Sequence, residues 1–176
     1  MNKFFILCGA LLCLFISCKK SNSSSNYHVT ATIGDSTLTF NTSPQAFVIN
    51  LAGQTDITIE GFASSSLTRS LALGWTNDYI PNSSFGVGTY SDTSINYGIV
   101  GTYIPGGTQE YVSGSGIYLL AESSGATIAN HLKIVITAVD STHVQGTFSG
   151  DFYYGSTITG AIKTITNGDF DVPWKK

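Results

Sequence analysis

The chain has 176 residues, with 8 Lys and Arg against 11 Asp and Glu, for a net charge of −3. Charged residues make up 11% of it, against about 25% in an average soluble protein. No basic footprint for nucleic acid exists in so few cations. At 42% apolar, the chain can bury a core and is not a disordered polymer.

The N-terminus reads MNKFFILCGALLCLFISC. Lys3 supplies a positive start, and Phe4 to Ile16 is an uncharged apolar run. That run is too short to span a bilayer, which takes about 20 residues, and it suits the core of an export signal. Phe15-Ile16-Ser17-Cys18 resembles a bacterial lipobox, in which the Cys is lipidated and becomes the mature N-terminus. Leu14 stands one place before the position where such a motif carries Leu. All three cysteines (Cys8, Cys13, Cys18) fall in this segment, so cleavage before Cys18 leaves no thiol pair for a disulfide. The expectation is a signal-peptide helix over 1–17 and a lipid on Cys18. Several acyl chains on one residue hold a protein firmly to a membrane.

Residues 18–26 follow as lipidated Cys and tether. Lys19 to Asn26 is Ser-rich and polar, without apolar periodicity, and reads as a flexible linker. No acidic run follows Cys18, so the periplasmic side of the outer membrane is favoured over the cell surface.

Residues 27–176 read as one all-β domain. Leu132, Ile134, Ile136 and Ala138 form an alternating apolar set, as do Val144, Gly146, Phe148, Gly150 and Phe152. Ile57 with Ile59, Phe47 with Ile49 and Leu51, and Leu67, Leu71, Leu73 and Trp75 form further sets, the last admitting Arg69. Gly34-Asp35 reads as a hairpin turn. Asn167-Gly168 reads as another, between strands 157–166 and 169–174, because both residues tolerate positive φ. Pro105-Gly106-Gly107 and Pro81 to Ser84 read as loops. No helical periodicity follows Ile16, beyond a short turn near Ser123 to Asn130. About ten strands at this spacing predict an antiparallel two-sheet sandwich, with a lipocalin-like closed barrel as the alternative.

Gly88-Thr89-Tyr90, Ile136-Thr137, Asp140, Val144 to Gly150 (VQGTFSG) and Ile165 to Val172 (ITNGDFDV) resemble the C-terminal part of a family of Bacteroidota lipoproteins of unknown function. The resemblance implies a lipid anchor and a β-sandwich, and it brings no catalytic residue.

The search for chemistry finds little. There is no His-Glu-x-x-His helix and no Gly-x-Ser-x-Gly elbow. Gly155 to Gly160 has phosphate-loop spacing, but Ala161 stands where the Lys belongs. His131 and His143, each at the head of a strand run, could face one another across a hairpin with Asp140 as a third ligand; rim residues are the plainer reading. Asn167, Asp169 and Asp171 lack the sixth-position Gly and twelfth-position Glu of a calcium loop. Asp56 with Glu60, and Asp169 with Asp171, share strand faces as a glycosidase pair would. No metal, cofactor or catalytic residue is expected.

The tyrosines stand out. Tyr and Trp join flat apolar area to a polar handle and suit sugar rings and protein partners. Tyr97, Tyr103 and Tyr111, around the Pro105-Gly106-Gly107 loop, are the candidate ligand-binding residues. The expected function is non-catalytic binding or structure in the cell envelope. The expected partners are the membrane, through the lipid, and a polysaccharide or another envelope protein. The alternatives are an envelope enzyme acting on glycans and a carrier of small lipophilic ligands.

Overall fold

A computed structural model describes residues 27–51, 54–66, 68–77, 85–94 and 96–175. The signal segment, Cys18 and the tether lie outside the described residues, as do Leu67 and Pro81 to Ser84.

The domain is all-β and antiparallel. β1 (His28–Ile33) and β2 (Ser36–Thr39) form the hairpin expected at Gly34, whose φ is 61°. β3 (Thr42–Leu51), β4 (Gln54–Phe62) and β5 (Ser70–Thr76) follow as a meander. After β6 (Gly88–Ser91) come β7 (Gly98–Gly106) and β8 (Gln109–Gly114), then helix α1 (Ser115–Ser124). β9 (Lys133–Val139), β10 (His143–Tyr154) and β11 (Ile162–Pro173) complete the chain.

Nine of these strands run through one curled sheet in the order β2-β1-β11-β10-β8-β7-β5-β4-β3, and β9, with β6 on its other side, branches from β10. β10 makes the curl possible. Its first half, Val144 to Ser149, pairs with β9, whereas Tyr153 and Tyr154 pair with β8. The far edge returns to the C-terminus, where Ala46 bridges Trp174 and the Lys175 N–H donates to the Ala46 carbonyl at 2.7 Å.

The inside of the curl is the main core. Val29, Phe40, Leu71, Leu73, Leu132, Ile136, Phe152, Ile165 and Phe170 are fully buried there. Each contributes about 1.5–3 kcal/mol relative to an exposed position. The expected sets Ile57/Ile59, Leu71/Leu73/Trp75 and Val144/Phe148/Phe152 face this core. A second, smaller core lies on the other face, where Ile117 and Ala121 of α1 pack on Tyr153 and Ile128.

Four expectations are corrected. Asn167-Gly168 is not a hairpin turn: β11 runs unbroken through it. Between Phe148 and Gly150, and between Thr30 and Thr32, both neighbouring strands advance two residues while β11 advances three. Asn167, at φ 47°, absorbs the extra residue as a bulge. A Cβ at Gly168 would sit 2.5 Å from the Phe148 carbonyl oxygen, so glycine is required. Second, Phe47 and Ile49 face outward. Ala46 and Val48 pair with the inward residues Ile59 and Ile57, after a register shift between Thr42 and Gln45. Third, alternation in β9 slips opposite Gln145 and Gly146, so Val139 rather than Ala138 packs on the core. Fourth, Ser115–Ser124 is a helix of ten residues. Arg69 lies before β5 and ties its Nε–H to the Pro105 carbonyl at 2.9 Å.

Candidate binding groove

The outward turn of β3 helps build a groove. Cross-strand register puts Phe47, Thr58, Gly74 and Val100 in one row over β3, β4, β5 and β7. Ile49, Asp56, Thr76 and Gly98 form the row beside it. At Gly74 and Gly98 the sheet bears no side chain, so its surface is low there. A Cβ on Gly74 would come within 2.7 Å of Val100 Cγ1. Around this floor stand Ile49 and Val100, 48% and 44% exposed, with Asp56, Thr58 and Thr76. The concavity measures about 400 Å³, in the size range of small-ligand sites.

One end is made by the first turn of α1, where Ser115 and Gly116 line the groove. Gly114 creates this junction. Its φ of 115° swings the chain out of β8 into the helix. A Cβ there would lie 2.1 Å from the Ile99 carbonyl oxygen. No side chain caps the helix and its first turn holds no acid, so no side-chain charge neutralises its positive end. Ser115 Oγ accepts the Ile99 N–H at 3.1 Å, fastening the helix start to β7. Gly125, at φ 69°, closes the other end.

On the far side of Ser115 is a second hollow of about 220 Å³, also bordered by Asp92, Tyr118 and Glu122. Asp92 is 2% exposed. Its Oδ1 lies 3.0 Å from His131 Nδ1, and its Oδ2 accepts the Leu132 N–H at 3.0 Å. The His131 ring stands 5.8 Å from that of Tyr118.

The tyrosines expected to bind ligand are not gathered on a surface. Tyr103 and Tyr111 are cross-strand partners facing the core, 4% and 6% exposed, with ring centres 6.2 Å apart. Burial pushes the Tyr103 hydroxyl above its ordinary pKa, ahead of the opposing effect of Arg69. Tyr97 is elsewhere, half-buried against Tyr90 and Trp75, with its hydroxyl accepting the Ser91 N–H at 3.2 Å.

The other candidate groups disperse. His131 and His143 lie at opposite ends of the β9–β10 pair, because Lys133 is opposite Ser149 and Val139 opposite Val144. His143 pairs instead with Asp140 at 3.0 Å, and His28 with Asp169 at 2.6 Å. Asp171 takes the Gln145 amide at 2.8 Å. Glu60 takes the Gln45 amide at 2.5 Å. Among the described residues, no group of three His, Cys, Asp or Glu side chains is placed to hold a metal ion. Gly155 to Gly160 is the turn from β10 to β11.

The groove was missed because Gly74, Gly98, Thr58 and Thr76 carry no motif. Only the cross-strand register brings them together. Gly114 and Gly125, bracketing Leu119-Leu120-Ala121-Glu122, were the available signal for α1, since those four residues favour helix. The chain matches no protein-family model, no curated protein and no solved structure.

Proposed function

We propose that the protein is a lipid-anchored module of the bacterial cell envelope, held through Cys18, whose β domain binds polysaccharide without catalysis. The groove over β4, β5 and β7 carries this reading. It sets hydroxyls and one carboxylate (Thr58, Thr76, Asp56) beside the apolar Ile49 and Val100. A sugar ring offers the matching pair of surfaces, a hydroxyl rim and a C–H face. Among the described residues the groove is lined by one carboxylate, Asp56, whereas a glycosidase of the usual kind sets two about the bond it cuts. With Tyr103 and Tyr111 turned inward, the groove takes the place of the tyrosines as the binding surface. A carrier would need an enclosed cavity, and the one beside Trp75 and Ile134 measures about 10 Å³, far below the ~300 Å³ of small-ligand sites.

The test has two arms. Cys18→Ala is expected to move the protein from the membrane to the soluble fraction, and retention after a high-salt wash would refute the anchor. A glycan array should give hits that Asp56→Ala or Val100→Asp weakens with the β-sheet circular dichroism unchanged. Hydrolysis of glycan, ester or peptide substrates, abolished by a single Asp or Glu substitution, would overturn the binding reading.

A further inference from the structure

We infer that the binding site is two-lobed: the hollow beyond Ser115, lined by Tyr118, Glu122 and Asp92, holds one further ring of a neutral glycan lying in the groove. This rests on the reading of the groove as a glycan site.

The two hollows share Ser115 as a common wall, at the uncapped first turn of α1. A chain leaving the groove past Ser115 therefore enters the second lobe directly. At about 220 Å³ that lobe is smaller than the ~300 Å³ lower end of sites for drug-sized ligands, and it suits a single ring. Its chemistry is amphipathic. Tyr118 and the half-exposed Leu119 offer apolar area for a C–H face. The Glu122 carboxylate and the Thr93 and Ser94 hydroxyls stand at the same wall to meet sugar hydroxyls.

His131 braces this wall: its Nδ1 lies 3.0 Å from Asp92 Oδ1, and its ring centre is 5.8 Å from that of Tyr118, so it touches two of the lobe's lining residues. Charge selects the class of glycan. Asp56, Asp92 and Glu122 border the two lobes, and among the described residues neither is lined by Lys or Arg. An anionic polymer is repelled, whereas a neutral sugar hydroxyl donates to these carboxylates.

The experiment is calorimetric titration of the mature chain with cello-, malto- and chito-oligosaccharides, from disaccharide to hexasaccharide. In the series that binds, affinity should rise once the chain outgrows the groove. Glu122→Gln and Tyr118→Ala should each lower affinity for the long members about tenfold, a loss of about 1.4 kcal/mol, and leave the short members unchanged. Asp56→Asn should weaken long and short alike. Glu122 is exposed, so its variant serves even if Tyr118→Ala disturbs the small core under α1. If Asp56→Asn weakens binding while neither second-lobe variant changes it at any length, the second lobe is refuted and the groove stands. If no oligosaccharide binds, the groove reading itself fails.

Discussion

Asp151 receives both the backbone N–H and the side-chain amide of Asn130, at 3.0 and 3.1 Å. It also takes the Thr164 hydroxyl at 2.7 Å. The carboxylate is 3% exposed, and a buried charge of this kind is tolerable only when its oxygens are satisfied. Asp92 does the same for the next two residues, His131 and Leu132. Two buried aspartates, from β10 and from the end of β6, thus grip three consecutive residues on the approach to β9.

Asp151→Ala is therefore expected to destabilise the domain by about 3 kcal/mol, because it strands several donors at once. Asp151→Asn should cost less, since it keeps one acceptor oxygen. Urea denaturation checks both through the midpoint at unchanged slope. Equal midpoints for Ala and wild type would show that the grip carries no stability.

Asp140 gives a pH prediction. In the β9–β10 turn its Oδ1 accepts the Thr142 hydroxyl and N–H, each at 2.6 Å, and the His143 N–H at 3.0 Å. The Thr142 hydroxyl leads in holding its pKa at about 2, against an ordinary 3.8. The folded pKa is depressed, so the stabilisation is complete above 3.8 and is lost as pH falls through about 2. Carboxyl-carbon NMR titration should find Asp140 ionised at pH 3. Thr142→Val should bring it back toward 3.8, and an unmoved pKa in that variant would refute the assignment.

Strand chemistry made the all-β class legible, because Ile57/Ile59 and Leu71/Leu73 alternate cleanly and fill one face. Gly34 was legible as a turn because nothing else competes for those residues. Asn167-Gly168 carried the same local signal but is a bulge. Dihedral preference fixes only that a positive φ occurs there, while pairing with β1 and β10 on both sides decides that the strand continues. The tyrosines failed for a related reason. A ring that suits a sugar also suits a core, and Tyr103 and Tyr111 fall on the inward side of β7 and β8. The groove was illegible because its floor is made by small residues on separate strands.

Gly114 is the residue on which the groove's helical end depends. Any side chain there meets the Ile99 carbonyl and forces a positive φ on a residue with a Cβ. Backbone strain of this type costs about 1–3 kcal/mol before the steric overlap is counted. Gly114→Ala should lower the urea midpoint more than Gly116→Ala, since a Cβ at Gly116 meets nothing within 4 Å. Amide hydrogen exchange should show the loss of protection concentrated in α1. Equal midpoints for the two variants would mean that the β8–α1 junction relaxes freely.

The alkaline limit of the fold follows from its buried tyrosines. Burial is the first cause that raises the pKa of Tyr90, Tyr103 and Tyr153, and for Tyr153 the charges of Asp151 and Asp92 add to it. Below pH 10 these hydroxyls are neutral in both folded and unfolded chains, so they make stability insensitive to pH there. As pH rises past 10 the unfolded chain releases their protons while the folded chain keeps them, and stability falls until the raised pKa values are passed. Phenolate absorbance should therefore appear in two stages, the later one together with loss of the β-sheet circular dichroism. Tyr103→Phe removes one of the three late groups and should reduce the amplitude of the second stage. A single stage, complete before the fold is lost, would show that these rings are open to solvent and would reopen Tyr103 as a surface contact.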